Sequence, residues 1–149
     1  FSIKFLRKNF PGCIFFYLKR EELSNIYSMI KTYKYFDQNR KDFNWISLKP
    51  LGWEDKIKEE VLDKVLWQYK SIKQKIESEI SDKDTLTVNY EEICKHPRIF
   101  LENVRSFAKD KGINLSLVRE SIPCDLKANI IASNKDKLSR EISILLNNE

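Results

Sequence analysis

A short apolar run, from Cys13 to Leu18, constrains the fold of this chain more than any other stretch. It is bounded by Pro11-Gly12 on one side and by Lys19-Arg20 on the other. A run of this length between such breaks is typical of a strand buried on both faces, and such strands belong to parallel sheets. We therefore expect a parallel sheet with this run as one of its strands.

The arginine that follows this strand is a candidate for anion binding. Ligands of open parallel sheets bind beyond the carboxyl ends of the strands, which is where Arg20 stands. Ser28 follows eight residues later, in a predicted helix, and a guanidinium and a hydroxyl can hold one phosphate together. The chain has 27 lysines and arginines, so a solvated arginine near a strand end is also common by chance. Anion recognition is the first hypothesis, and an ordinary solvated arginine is its alternative.

Length and composition predict one globular domain. A chain of 149 residues with 42% apolar content can form a core. Its 27 basic and 22 acidic residues are interleaved, and a net charge of +5 in this pattern suits solvated helix faces or an anionic small molecule better than a nucleic-acid groove. No apolar segment reaches the roughly 20 residues of a membrane span. We expect neither a membrane span nor a nucleic-acid partner, and the oligomeric state stays open.

The cysteines predict a reducing compartment. Cys13, Cys94 and Cys124 lie far apart and lack the paired spacing of a metal site. Free thiols of this kind are usual in proteins kept reduced. We therefore expect a cytoplasmic protein with no metal cofactor.

Further patterns along the chain predict alternating helices and strands. The aromatic stretch from Tyr33 to Trp53 either makes substrate contacts from a surface loop or packs its tryptophans onto the core. Strand, helix, strand, helix is the order of an α/β fold in which helices cover a parallel sheet. The other predicted elements are an amphipathic helix ending near Phe10, a helix from Glu21 to about Tyr35, a long helix from Glu54 to Ser81, a strand from Thr85 to Tyr90, and a helix from Arg98 to Asp110 that Gly112 ends.

Two segments resemble markers of P-loop sulfotransferases. FPGCIFFYLKREELSNIYSMI is similar to the family segment in which a strand ends in an arginine and a serine follows eight residues later. In that family the two side chains bind the 3′-phosphate of 3′-phosphoadenosine 5′-phosphosulfate (PAPS), which implies this role for Arg20 and Ser28. LTVNYEEICKHPRIFLENVRSFAKDKGI resembles a second marker, in which a strand runs into a tyrosine, acidic residues, a proline and a helix. The matching tyrosine, Tyr90, is then implied to lie near the adenine.

Two further stretches are similar to bacterial members of the family. LKPLGWED, with Trp67-Gln68 further on, resembles a lysine-proline-proline-glycine-tryptophan stretch. SNKDKLSRE, from Ser133 to Glu141, resembles a basic segment that lies close to the nucleotide. This implies that Lys135 and Lys137 approach the phosphate, although a plain solvated face is the common role of such lysines.

The resemblance implies a P-loop NTPase-like sulfotransferase fold. The implied reaction is in-line transfer of a sulfuryl group from PAPS to an acceptor hydroxyl or amine, which rests on positioning and charge neutralisation and needs no metal. The family holds the 5′-phosphosulfate in a glycine-rich loop, whereas the three glycines here, Gly12, Gly52 and Gly112, lie in no such loop. The chain also opens on Phe1 and not on methionine. We therefore expect a single sulfotransferase-like domain over residues 1–149, incomplete at its N-terminus and with unknown catalytic residues.

The sequence is also compatible with two other functions. The chain could be a non-catalytic remnant that binds a nucleotide or phosphate. Alternatively, it could be a helical interaction module whose predicted long helix presents an apolar stripe to a partner. The second alternative requires that stripe to be exposed.

Overall fold

The computed structural model describes residues 2–39, 44–116 and 126–147, which form a mixed α/β structure. Contacts divide the chain into two compact units, Phe1–Glu21 with Glu79–Asn129, and Glu22–Ser78 with Ile130–Glu149. The single domain expected over residues 1–149 stays a prediction. The elements are α1 (Ile3–Asn9), β1 (Phe15–Lys19), α2 (Glu22–Asn39), a 3-10 helix (Trp53–Lys56), α3 (Val61–Glu77), β2 (Thr85–Asn89), α4 (Tyr90–Lys95), α5 (Pro97–Asp110) and α6 (Lys137–Asn147).

The first unit holds a two-stranded parallel sheet. β1 pairs with β2 in a register that runs from Phe15 opposite Thr85 to Lys19 opposite Asn89. The prediction of two strands in parallel is confirmed, with β1 beginning two residues later than expected and β2 ending one residue earlier.

The expected burial of β1 on both faces is wrong. Phe16 and Leu18 are 46% and 54% exposed, whereas Phe15 and Tyr17 between them are half-buried. Side chains alternate between the two faces of a strand. One face of β1 is therefore partly covered and the other is open to solvent in the described part of the chain.

A buried carboxylate holds α1 against the segment that leads into β2. Glu79 accepts hydrogen bonds from the backbone nitrogens of Ile3, at 2.7 Å, and Lys4, at 3.3 Å, so its negative charge caps the start of the helix. At the other end of α1, Arg7 Nη1 donates to the Glu79 carbonyl at 3.1 Å. Its Nη2 donates to Asp84 Oδ1 at 2.9 Å, and its Nε bonds the other oxygen of that carboxylate. These bonds hold the pKa of Asp84 below its ordinary value.

α5 begins and ends as its sequence predicts. Pro97 is its first residue, where the missing N–H costs nothing. Gly112 has a positive φ of 76°, and its nitrogen donates to the Lys109 carbonyl at 2.9 Å while Ile113 donates to the Ala108 carbonyl at 2.9 Å. This paired arrangement is the usual closure of a helix by a left-handed glycine.

The second unit holds an apolar core between α2, α3 and α6. Val65 and Leu66 of α3 are buried there, so the apolar stripe of this helix is covered and not free for a partner. This covering removes the support for a helical interaction module. The buried core residues are Leu23, Ile26, Tyr27, Ile30, Tyr33, Val65, Leu66, Ile131 and Ile142.

The long helix expected from Glu54 to Ser81 is wrong as one piece. The structure has a 3-10 helix to Lys56, an irregular stretch at 57–60, and α3 from Val61 to Glu77. Ile57 and Val61 are four residues apart, which is the spacing of a continuous helix, so the apolar pattern could not reveal the break. The helix expected from Glu21 to about Tyr35 is confirmed as α2 and extends to Asn39.

Replacing Asp84 by asparagine should lower the melting temperature at pH 7 by about 2–4 °C, the range for a partly screened ion pair. Because folding lowers the pKa of Asp84, its contribution is present above the unfolded pKa, near 4, and is lost as the pH falls through the folded pKa. The difference between the variant and the natural chain should therefore shrink steadily as the pH is lowered below about 4. Circular dichroism melts across this range measure it. Asp82→Asn, which removes the same charge from an exposed neighbour, should have no comparable effect.

Candidate anion-binding site

The parallel pairing brings two predicted site residues together. Lys19 and Asn89 are the last residues in register, so Arg20 and Tyr90 are the next residue of each strand at the same edge of the sheet. The Arg20 guanidinium carbon lies 5.3 Å from the centre of the Tyr90 ring. That distance is within the range of a cation–π contact. The arginine and the tyrosine of the two sequence markers therefore form one local group.

The guanidinium of Arg20 is only partly hydrogen-bonded within the described residues. Its Nη2 donates to the backbone carbonyl of Asn129 at 2.8 Å. Its Nε is buried and has no acceptor among the described residues. A buried donor without a partner costs about 1–3 kcal/mol, and more when it is charged. An anion oxygen placed beside Nε would remove that cost.

A second contact fixes the chain beside this group. The backbone nitrogen of Glu21 donates to Glu91 Oε1 at 3.0 Å. Glu21 and Glu91 are the residues after Arg20 and Tyr90, so the neighbourhood of the two strands continues past their ends. This bond holds the backbone next to Arg20 independently of the contact with the tyrosine ring.

Ser28 lies in the second unit, near the beginning of α2. It is half-buried, and its carbonyl accepts a hydrogen bond from the Thr32 hydroxyl at 2.9 Å. In the described ranges its own hydroxyl has no hydrogen-bond partner. Arg20 belongs to the first compact unit and Ser28 to the second, so each residue is described only within its own unit. Their convergence on one phosphate stays a prediction.

Within the second unit, the basic carboxyl-terminal segment lies against α2. The ammonium groups of Lys31 and Lys135 lie 5.6 Å and 5.2 Å from the centre of the Tyr27 ring. The Tyr27 hydroxyl donates to Asp136 Oδ2 at 2.6 Å, and this bond raises the pKa of Tyr27 and lowers that of Asp136. Asp136 Oδ1 also accepts from the backbone nitrogen of Ser139, so it caps α6. Lys135 therefore lies beside Tyr27, the residue directly before Ser28.

The two stretches around the first and third tryptophans meet in the second unit. Gln68 is completely buried, and its Nε2 donates to the carbonyls of Ile46, at 2.8 Å, and Leu48, at 2.9 Å. Its Oε1 accepts a hydrogen bond from the Tyr33 hydroxyl at 3.1 Å. This buried network ties the loop before the 3-10 helix to α3, which gives Gln68 a structural role.

Three indole rings pack together next to that network, and Trp45 Nε1 donates to the same Leu48 carbonyl at 3.0 Å. Trp45 is buried, and its ring contacts those of Trp53 and Trp67 edge-on, with centroids 5.5 Å and 6.2 Å away. In the part of the aromatic stretch that the structure describes, the tryptophans therefore pack onto the core. Residues 40–43 of that stretch lie outside the described residues.

Sequence reasoning missed the acceptor that anchors Arg20. Asn129 contributes a backbone carbonyl from 109 positions away, and a backbone group leaves no mark in a sequence. The contact between Glu21 and Glu91 could have been predicted, because each glutamate follows the end of one of two parallel strands that pair in register. The buried role of Gln68 had none beyond its neighbour Trp67.

Three further findings concern metals, thiols and membranes. The described ranges contain no group of three histidines, cysteines, aspartates or glutamates placed to hold a metal ion. Cys94 is buried and Cys13 half-buried, both as free thiols, and Cys124 lies outside the described residues. Of the helices in these ranges, none is long and apolar enough to cross a membrane.

Comparison with known proteins identified no relative of this chain. No family model, no curated protein and no solved structure matches the chain. The function is therefore argued from the residues and their geometry.

Replacing Gln68 by leucine should lower the free energy of unfolding by about 2–4 kcal/mol, because the buried Tyr33 hydroxyl loses its acceptor and the Ile46 carbonyl loses its donor. Tryptophan emission should move to longer wavelength as the loop loosens around Trp45. Urea unfolding followed by fluorescence measures both changes. Gln74→Leu, at an exposed position of the same helix, should change neither. An unchanged midpoint for Gln68→Leu would contradict the role of the network.

Proposed function

We propose that this chain binds the 3′-phosphate of PAPS as part of a P-loop sulfotransferase of bacterial type. The observation that supports it most is Arg20, which stacks on Tyr90 and has a buried, unpaired Nε at the carboxyl edge of two parallel strands. Ligands of α/β sheets bind at this edge. The proposal includes a P-loop NTPase-like fold for the intact protein.

Each residue has a distinct role in the proposal. Arg20 pairs with the remote phosphate and supplies binding energy that orients the donor without contact with the reacting sulfur. The Tyr90 ring keeps the guanidinium in place and offers its edge or hydroxyl to the adenine. Ser28 adds one neutral hydrogen bond to the phosphate. None of these three residues takes part in proton transfer in the proposed reaction.

The reaction proposed for the intact enzyme moves a sulfuryl group from PAPS to an acceptor hydroxyl or amine. The bond between sulfur and the donor's phosphate oxygen breaks, and a bond forms from sulfur to an acceptor oxygen or nitrogen, which loses its proton. The products are adenosine 3′,5′-bisphosphate and a sulfated acceptor. By analogy with phosphoryl transfer, positive groups that face the leaving and equatorial oxygens lower the barrier.

A second candidate is a binding remnant that transfers nothing. It is favoured by the glycines, because each of the three has a positive φ between 76° and 85° in a turn or helix end and none lies in a phosphate-holding loop. Both candidates use Arg20 in the same way, so binding experiments support them equally. Sulfate transfer by the full-length protein from its gene separates them.

Arg20→Ala should weaken binding of adenosine 3′,5′-bisphosphate by about 1.5–3 kcal/mol, or tenfold to a hundredfold, as expected for a charge-assisted bond. Isothermal titration calorimetry with the 149-residue chain measures the loss. Arg105→Ala removes the same charge from an exposed position on α5 and should change affinity little.

The same titration with adenosine 5′-monophosphate tests which phosphate Arg20 binds. This nucleotide lacks the 3′-phosphate, so Arg20→Ala and the natural chain should bind it equally weakly. Equal losses for Arg20→Ala and Arg105→Ala with the bisphosphate would reduce the effect to overall charge and contradict the assignment.

Ser28→Ala should cost less, about 0.5–1.5 kcal/mol for one neutral donor. Ser106→Ala, at an exposed position of α5, serves as the matched control in the same calorimetric titration. A loss for Ser28→Ala greater than that for Arg20→Ala would show that the two roles are misplaced.

A further inference from the structure

A carboxylate beside the candidate site is bonded to the backbone and not to the arginine. Glu91 follows the tyrosine on which Arg20 stacks, and its Oε1 accepts the backbone N–H of Glu21 at 3.0 Å. Among the described residues Arg20 forms no ion pair with Glu91, and its Nε stays without an acceptor. A carboxylate that neutralised this guanidinium would compete with an external anion. Glu91 leaves the guanidinium available.

The bond from Glu91 acts on the peptide group that joins Arg20 to Glu21. β1 ends at Lys19 and α2 begins at Glu22, so Arg20 and Glu21 alone connect the strand to the helix. A peptide group is planar, so an acceptor at the Glu21 N–H also fixes the Arg20 carbonyl and the dihedral ψ of Arg20. The Arg20 side chain starts at the same residue. The bond therefore restricts the direction in which the guanidinium extends.

The Glu91 acceptor is carried by a regular element. β2 ends at Asn89, opposite Lys19 in register, and α4 begins at Tyr90, so Glu91 is the second residue of that helix. An acidic residue is favourable in the first turn of a helix. Glu91 is also half-buried, where a hydrogen bond is weakened less by water than at an exposed position. The sheet and α4 together place this oxygen.

The other two contacts of Arg20 leave the direction of its Nε incompletely fixed. The attraction between the guanidinium and the Tyr90 ring, 5.3 Å away, has no single donor direction. The bond to the Asn129 carbonyl fixes only Nη2. A donor binds an anion best when it is aimed before the ligand arrives, because ordering it on binding costs free energy.

We infer that Glu91 is a positioning residue for anion binding, which holds Arg20 through the Glu21 N–H so that Nε faces the 3′-phosphate. The inference rests on the proposed function. Glu91 does not touch the nucleotide, and its negative charge opposes the binding of a phosphate. The useful property of Glu91 is therefore its acceptor oxygen. Substitution can separate that oxygen from the charge.

Calorimetric titration of three variants with adenosine 3′,5′-bisphosphate tests the inference. Glu91→Gln keeps an acceptor oxygen at the same reach without the charge, so it should bind as tightly as the natural chain or about threefold more tightly. Glu91→Met keeps the length but lacks the oxygen, so it should bind about three- to tenfold more weakly. Glu91→Asp keeps the charge and withdraws it by one methylene, and should also bind more weakly.

Glu92→Met is the matched control for these titrations. It removes the same charge from the next residue of α4, which is exposed, and should change the affinity by less than about twofold. Circular dichroism of each variant checks that the fold is kept.

The amide signal of Glu21 reports the bond itself. In a ¹H–¹⁵N NMR spectrum of the ligand-free chain, this signal should move upfield in Glu91→Met, because the N–H loses its acceptor. It should stay near its natural position in Glu91→Gln. A merely structural role for Glu91 would lower thermal stability in Glu91→Met without changing the affinity.

Three results would overturn the inference. These are an unchanged affinity for Glu91→Met, a gain in affinity for both Glu91→Met and Glu91→Gln, and an equal loss for both. If Arg20→Ala weakens binding and Glu91→Met does not, only this inference fails. If neither substitution weakens binding, the proposed function fails with it.

Discussion

The parallel pairing of β1 with β2 is the constraint on which the candidate site depends. Parallel strands end at the same edge, and the register places Lys19 opposite Asn89. Arg20 and Tyr90, although 70 positions apart, are thereby brought side by side, and Glu21 and Glu91 after them. An antiparallel pairing would have placed the two at opposite ends of the sheet.

The same pairing explains why Arg20 is suited to an external anion. The sheet edge presents the guanidinium against an aromatic ring, and a distant carbonyl takes one of its donors. The buried Nε then has no acceptor within the described ranges. A buried N–H of a charged group that lacks an acceptor is costly, and a negatively charged partner removes the cost.

Local chemistry made much of the fold predictable, and long-range contacts made the rest unpredictable. The two strands and their orientation follow from apolar runs between breaks, and the end of α5 follows from Gly112. Burial of β1 did not follow, because it depends on what covers each face. The break at 57–60 was hidden by the spacing of Ile57 and Val61.

The candidate site was likewise predictable only in part. Arg20 was singled out because it follows a predicted strand, whereas Tyr90 was implied only by the resemblance of its segment to a sulfotransferase marker. The Asn129 carbonyl and the Gln68 network could not be predicted, because their partners are set by tertiary packing and not by spacing.

The Nε–H group of Arg20 gives the most direct test of the account. Its resonance in a ¹H–¹⁵N NMR spectrum can be assigned by its loss in Arg20→Lys. Titration with adenosine 3′,5′-bisphosphate should shift this resonance downfield and slow its exchange with water, because the unpaired donor gains a phosphate oxygen. A saturating titration that moves other signals and leaves the Arg20 Nε–H unchanged would contradict the central claim.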